Sequence, residues 1–260
     1  IYLYKLMSLF ITKDEFETSK IKFKKYNLEW KKFASKKYVG DCSDLYKRLK
    51  PTSYEDFYKK YIFDGEKGIA QNCSIYNRGR TEMEIIDNAK ELYLTISSKY
   101  PNDEIKFNDC LNVSIGHVIY ETYDGQKIED IVEIMLSDKG YLVKKPSSEY
   151  DSKFGIDRLC YYNGILSFTV QIKPISFFRG DKNLSLIEDR KKAFNNDERI
   201  MKCFNVIPYY IVYEKVKDSV TFLYKDKNKM AFRLGELCES NGNSKWPKLK
   251  TDKRFYFNKI

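Results

Sequence analysis

The chain has 260 residues, 42% hydrophobic and 16% aromatic, enough apolar material to bury a sizeable core and too much for a disordered polymer. Its 47 basic and 37 acidic residues leave a net charge of +10, which points to nucleic acid or another polyanion. Only nine of the basic residues are arginine, so lysine bias from an AT-rich genome is an equally open reading of that charge.

In chain order, Thr12 to Glu15 reads as a helix start followed by Phe16, Ile21 and Phe23. Ser53 is placed to cap a helix carrying Phe57, Tyr58 and Tyr61, and Gly65, Gly68 and Gly79 predict a loop over 64–80. Thr81 with Glu84 three residues on forms a capping box. It opens a helix to about Ser97, whose stripe is Ile85, Ile86, Ala89, Leu92, Tyr93 and Ile96. The next helix is predicted over 125–139, with Ile128, Ile131, Val132, Met135 and Leu136 on its apolar face and Gly140 as its stop. A short strand over 141–143 follows. Two strand-like runs, 158–162 and 166–172, flank Asn163-Gly164, the strongest short-range hairpin signal. A helix over 184–204 and strands over 206–213 and 220–224 complete the pattern, and residues 241–260 carry no placeable one. The expected organisation is a mostly helical region over 1–116 and an α/β core with a C-terminal extension over 117–260.

The scarce residue types remove whole mechanisms. With His117 as the single histidine, nucleases built on paired histidines are excluded, and its apolar surroundings favour a core or surface histidine over a catalytic one. The six cysteines show no CxxC spacing, so a zinc ribbon is not expected. No secretory signal is recognisable, and reduced thiols in a cytoplasmic protein are the natural expectation. No apolar run approaches the roughly 18 residues of a membrane helix, and no glycine-rich phosphate loop makes a case for a nucleotide cofactor.

Chemistry concentrates in Gly155-Ile156-Asp157 and Gln171-Ile172-Lys173. Positions two apart on a strand share a face, so Gln171 and Lys173 project together, and hairpin pairing brings Asp157 beside them. Glu129, early in the preceding helix, can reach the same place. Metal-assisted phosphodiester hydrolysis needs such parts: oxygen donors for a hard cation and a lysine to handle the attacking water. Similar triplets occur at Glu29-Trp30-Lys31, Glu104-Ile105-Lys106, Asp151-Ser152-Lys153 and Asp189-Arg190-Lys191. Only Gln171-Ile172-Lys173 ends an apolar strand and follows a hairpin opened by an aspartate. The bland alternative is an edge strand showing a solvated Gln and Lys.

This segment resembles the core of PD-(D/E)XK nucleases. Residues 127–141 match that family's first helix, Asp157 stands for its proline-aspartate, and Gln171-Ile172-Lys173 for its acid-x-lysine in the glutamine variant. The helix over 184–204 and the strand over 207–212 fit the next elements, so the likeness covers about 117–224. Within that superfamily the chain is similar to MjaI-type type II restriction endonucleases. The shared features are Asn77-Arg78-Gly79-Arg80-Thr81 before a helix, the long helical N-terminal region, and Gln171-Ile172-Lys173-Pro174 followed by Ser176-Phe177. The departures are the missing proline before Asp157 and the glutamine at 171.

The resemblance implies a restriction-endonuclease-like α/β fold with a central mixed sheet flanked by helices. It implies a homodimer that cuts short palindromic double-stranded DNA, with CTAG as the candidate site and Mg²⁺ as cofactor. Glu129, Asp157, Gln171 and the carbonyl of Ile172 would hold the metal, and Lys173 would position the water. Arg78, Arg80, Lys144, Lys145, Ser176, Arg179 and Lys182 are the candidate DNA contacts, each with a solvated surface group as its alternative. The rival readings are an Mrr-like type IV nuclease acting on modified DNA and a catalytically silent DNA-binding module.

Overall fold

The computed structural model describes residues 9–179, 184–216, 219–224, 230–244 and 250–256. The chain divides into two compact units, residues 1–126 and 127–260. The division falls inside a helix rather than at the expected 116–117.

The first unit is helical: α1 (Lys13–Phe23), α2 (Asn27–Phe33), α3 (Lys36–Val39), α4 (Cys42–Leu49), α5 (Tyr54–Ala70), α6 (Glu82–Lys99), α7 (Phe107–Gly116) and the first residues of α8 (Thr122–Ser137). A π-helical turn, His117–Glu121, joins α7 to α8 without a break, which is why the chain does not part at 116. The caps read from sequence form: Ser53 accepts from the Asp56 N–H, and Thr81 and Glu84 make both arms of a capping box. The expected loop over 64–80 is half helix. Gly65 and Gly68 lie within α5, where a Cβ would meet the Arg80 carbonyl carbon at 2.5 Å and the Arg78 Cδ at 2.5 Å. They are there for close approach and not for a turn. The core is largely aromatic, with Phe16, Phe23, Tyr26, Phe57, Tyr58, Tyr61 and Tyr120 buried.

The second unit begins within α8 and continues through β1 (Leu142–Lys144), α9 (Ser148–Phe154), β2 (Arg158–Tyr162), β3 (Ile165–Pro174), α10 (Ile175–Phe178), α11 (Leu184–Phe204), β4 (Ile207–Val216), β5 (Ser219–Tyr224), β6 (Ala231–Phe232) and β7 (Lys250–Tyr256). These seven strands form one mixed sheet in the order β1-β2-β3-β4-β5-β7, with β6 also pairing β4. Only β3 and β4 are parallel, and α10 and α11 make the crossover between them. The hairpin turns at Asn163 (φ 50°) and Gly164 (φ 79°), both left-handed, as a two-residue turn between twisted strands requires. Helix α8 stops at Gly140 (φ 87°), where the Tyr141 N–H reaches the Leu136 carbonyl and the Gly140 N–H that of Ser137.

The sheet is covered on both faces. Ile128, Ile131, Val132 and Leu136 of α8 pack with Cys160, Val170, Ile172 and Ile211 on one. Phe178, Ala193, Tyr210, Val212 and Leu223 form the core on the other. Strand β7 gives the C-terminal stretch the place that its sequence did not reveal, on the β5 edge. Among the described residues no helix is long and apolar enough to cross a membrane.

Candidate active site

One end of the sheet collects the chemistry. There β3 finishes, β2 begins and β1 ends, because β2 runs antiparallel to both neighbours. Gly155, at φ 69°, closes α9 and turns the chain toward β3. The Asp157 N–H then donates to the Val170 carbonyl, and its carboxylate accepts the Ile172 N–H at 2.6 Å. Lys173 lies on the same face, with its Nζ 3.9 Å from the same Asp157 oxygen. Burial raises the Asp157 carboxyl above its ordinary range; Lys173 and the Ile172 N–H pull it down, while Glu129 and Asp151 push it further up. A dication would offset that crowding of negative charge.

Glu129 reaches this end from α8 but is held by others. Its carboxylate accepts from Arg158 at 2.7 Å and lies 3.4 Å from the Lys145 ammonium. Gln171 is 3% exposed, and its amide turns toward the end of α9, 3.5 Å from the Phe154 carbonyl. So Asp157, Lys173 and the Ile172 main chain converge; Glu129 approaches through Arg158; Gln171 packs against α9. No group of three or more His, Cys, Asp or Glu side chains disposed to hold a metal occurs among the described residues. The available donors are two carboxylates, an amide oxygen and a main-chain carbonyl, all hard, and they fit Mg²⁺ better than a soft ion.

Of the expected DNA contacts, Lys144, Ser176 and Arg179 are exposed at this same end of the sheet. The Lys144 ammonium sits 5.3 Å from the Tyr161 ring centroid, and Arg179 lies 4.0 Å from Glu214. Lys145 is half-buried beside Glu129. Lys182 lies outside the described residues.

Arg78 and Arg80 are a correction. Both are buried in the first unit, at 7% and 1% exposure. Arg78 forks onto Glu84 at 2.8 and 2.6 Å, and Arg80 donates to the carbonyls of Lys36, Lys37, Arg78 and Gly79. Their donors brace the α5–α6 connection and face no solvent. A planar guanidinium with five N–H groups suits that work, and sequence alone does not tell it from a phosphate contact.

Sequence reasoning missed two features. Arg158, directly after Asp157, is a buried guanidinium among Glu129, Asp130 and Glu133; the signal available was a scarce arginine opening an apolar strand. Asp197 on α11 is the other. It accepts from the Tyr210 hydroxyl at 2.9 Å, and burial pushes its carboxyl up to about 7. His117 is half-buried in the first unit: its ring meets Trp30 edge-on at 5.3 Å, and its Nδ1 lies 2.6 Å from Glu121.

The MjaI restriction endonuclease family model matches residues 25–232, spanning most of both units. No curated protein and no solved structure matches the chain. With four-fifths of its length under that family model, and with an α/β core of the restriction-endonuclease kind, the chain belongs to the MjaI restriction endonuclease family.

Proposed function

We propose that this restriction endonuclease hydrolyses phosphodiester bonds in short palindromic double-stranded DNA, with CTAG as its site, and that it does so with Mg²⁺ at the Asp157–Lys173 end of the sheet. The observation that carries this reading is the single carboxylate oxygen of Asp157, 2.6 Å from the Ile172 nitrogen and 3.9 Å from the Lys173 ammonium. That geometry fixes an anion and a cation side by side where three strand ends meet.

Asp157, Glu129 and the carbonyl of Ile172 would hold the metal, with the Gln171 oxygen in support. A bound Mg²⁺ supplies polarisation of the scissile phosphate and acidifies a water. The Lys173 ammonium orients the attacking water and offsets the charge that develops on the phosphate oxygens. Lys144, Ser176 and Arg179 are exposed at the same end, and we assign them to the DNA backbone. A palindrome cut on both strands calls for two such sites related by a two-fold axis, hence a homodimer.

The test is cleavage of an unmethylated plasmid of known sequence in Mg²⁺ and in chelator. Discrete fragments ending at CTAG, formed only with Mg²⁺, support the reading. Cutting restricted to methylated DNA would replace it with a type IV activity, and retardation without cutting would replace it with a silent DNA-binding module.

A further inference from the structure

Arg158 is the most enclosed cation at the catalytic end of the sheet. Its side chain is 3% exposed, although it lies next in sequence to Asp157. Its acceptors come from two elements. One terminal nitrogen donates both to the Glu129 carboxylate at 2.7 Å and to the Asp157 main-chain carbonyl at 2.8 Å. The Nε donates to Glu133 at 3.1 Å, and the other terminal nitrogen lies 3.9 Å from Asp130. The strand register explains the burial. Arg158 pairs with Val170 and so projects to the α8 face, while its neighbour Asp157 turns to the other face with Lys173.

We propose that Arg158 is a positioning residue for the cleavage reaction: its shared nitrogen ties the Glu129 carboxylate to the main chain of Asp157, and so sets the distance between the two carboxylates assigned to the metal. This rests on the reading of Glu129 and Asp157 as metal ligands. The physical case is one of charge and geometry together. Glu129, Asp130 and Glu133 occupy one stretch of α8 and repel one another; a guanidinium among them compensates that charge, and its planar fork fixes the orientation that a point charge would leave free. Lys145, 3.4 Å from Glu129, adds a second cation beside the same carboxylate.

The experiment measures Mn²⁺ binding by electron paramagnetic resonance on the full chain without DNA, beside the Mg²⁺ dependence of plasmid cleavage. Arg158→Met keeps the stem and removes the fork; groups that orient metal ligands typically contribute about 10–100-fold in metal affinity, and a loss of that size is expected in both readouts. Arg158→Lys keeps the charge without the shared nitrogen and is expected to lose affinity to an intermediate degree, with its melting temperature near the parent's. If Arg158→Met does not fold, Arg158→Lys still decides. Unchanged or tighter Mn²⁺ binding in either folded variant would overturn the proposal, because the guanidinium would then be idle or a competitor of the metal. Glu129→Gln is the control. If it leaves Mn²⁺ binding unchanged, the ligand role of Glu129 fails with the proposal; if it weakens binding while the Arg158 variants do not, only the proposal fails.

Discussion

Asp197 shows how far a buried carboxyl can be displaced without a charged partner in contact. Burial raises it to about 7, and the Tyr210 hydroxyl and Arg233 only partly oppose that. The folded protein therefore keeps a proton that the unfolded chain releases around its ordinary value of 3.8. Stability is full below that value and falls as pH rises toward 7. Asp197→Asn keeps an acceptor for Tyr210 and cannot ionise. It should melt like the parent at pH 4 and higher than the parent at pH 8, by about 2–4 °C for each kcal/mol recovered. Equal melting temperatures at pH 8 would show that Asp197 is ionised in the fold at no cost. Gln171 gives a second residue-scale prediction. It is 3% exposed, so Gln171→Glu buries a new charge and should lower the melting temperature in chelator. If position 171 supports the metal, Mg²⁺ should restore most of that loss, and thermal scans with and without Mg²⁺ would read it; no recovery would make Gln171 a packing residue of the α9 contact.

At the scale of elements, what could be read from sequence followed period and turn chemistry. The Asn163-Gly164 turn pairs Tyr162 with Ile165, and a register shift of one residue between Cys160 and Tyr161, which carries no sequence signal of its own, then pairs Arg158 with Val170 and brings Asp157 near Lys173. Helix α8 and the Thr81 cap were equally readable because their signals are local. What failed depended on contacts between distant parts of the chain. Gly65 and Gly68 looked like loop residues because close approach leaves no local mark. Arg80 looked like a surface cation because two of its carbonyl partners lie on α3, more than 40 residues away; Arg78 forks onto Glu84 only six residues on, yet it is buried by the packing of α5 at Gly68. Arg158 was passed over because its carboxylates sit on α8. The glycines allow a direct comparison. Gly125, in α8, has nothing within 4 Å of an added Cβ, whereas Gly65 would meet backbone at 2.5 Å. Gly125→Ala should be neutral or stabilising by about 0.5–1 kcal/mol. Gly65→Ala should lower the denaturation midpoint by an amount typical of overpacking, about 1–3 kcal/mol. Equal effects in denaturant titrations would contradict the close packing of α5 on Arg80.

For the whole molecule the open question is what the +10 charge does. If the exposed cations at the end of the sheet meet DNA phosphates, affinity should fall steeply with salt, by about 10³–10⁵ between 50 and 200 mM for 6–10 contacts. A flat response in fluorescence anisotropy would return the charge to lysine bias. The two-site reading of a palindrome requires a particle of about twice 30.9 kDa in light scattering, free or on DNA. A monomer in both conditions would remove the type II geometry.

The most direct test of the central claim is cleavage by Lys173→Ala under conditions where the parent cuts, with site-specific binding measured on the same samples. Lys173 is 28% exposed, so its truncation leaves little void. The expected result is a rate lower by about 10²–10⁴, the usual contribution of a positioned proton-handling group, with binding to the site retained. Cleavage at the parental rate would contradict the assignment of the Asp157–Lys173 end of the sheet as the catalytic centre.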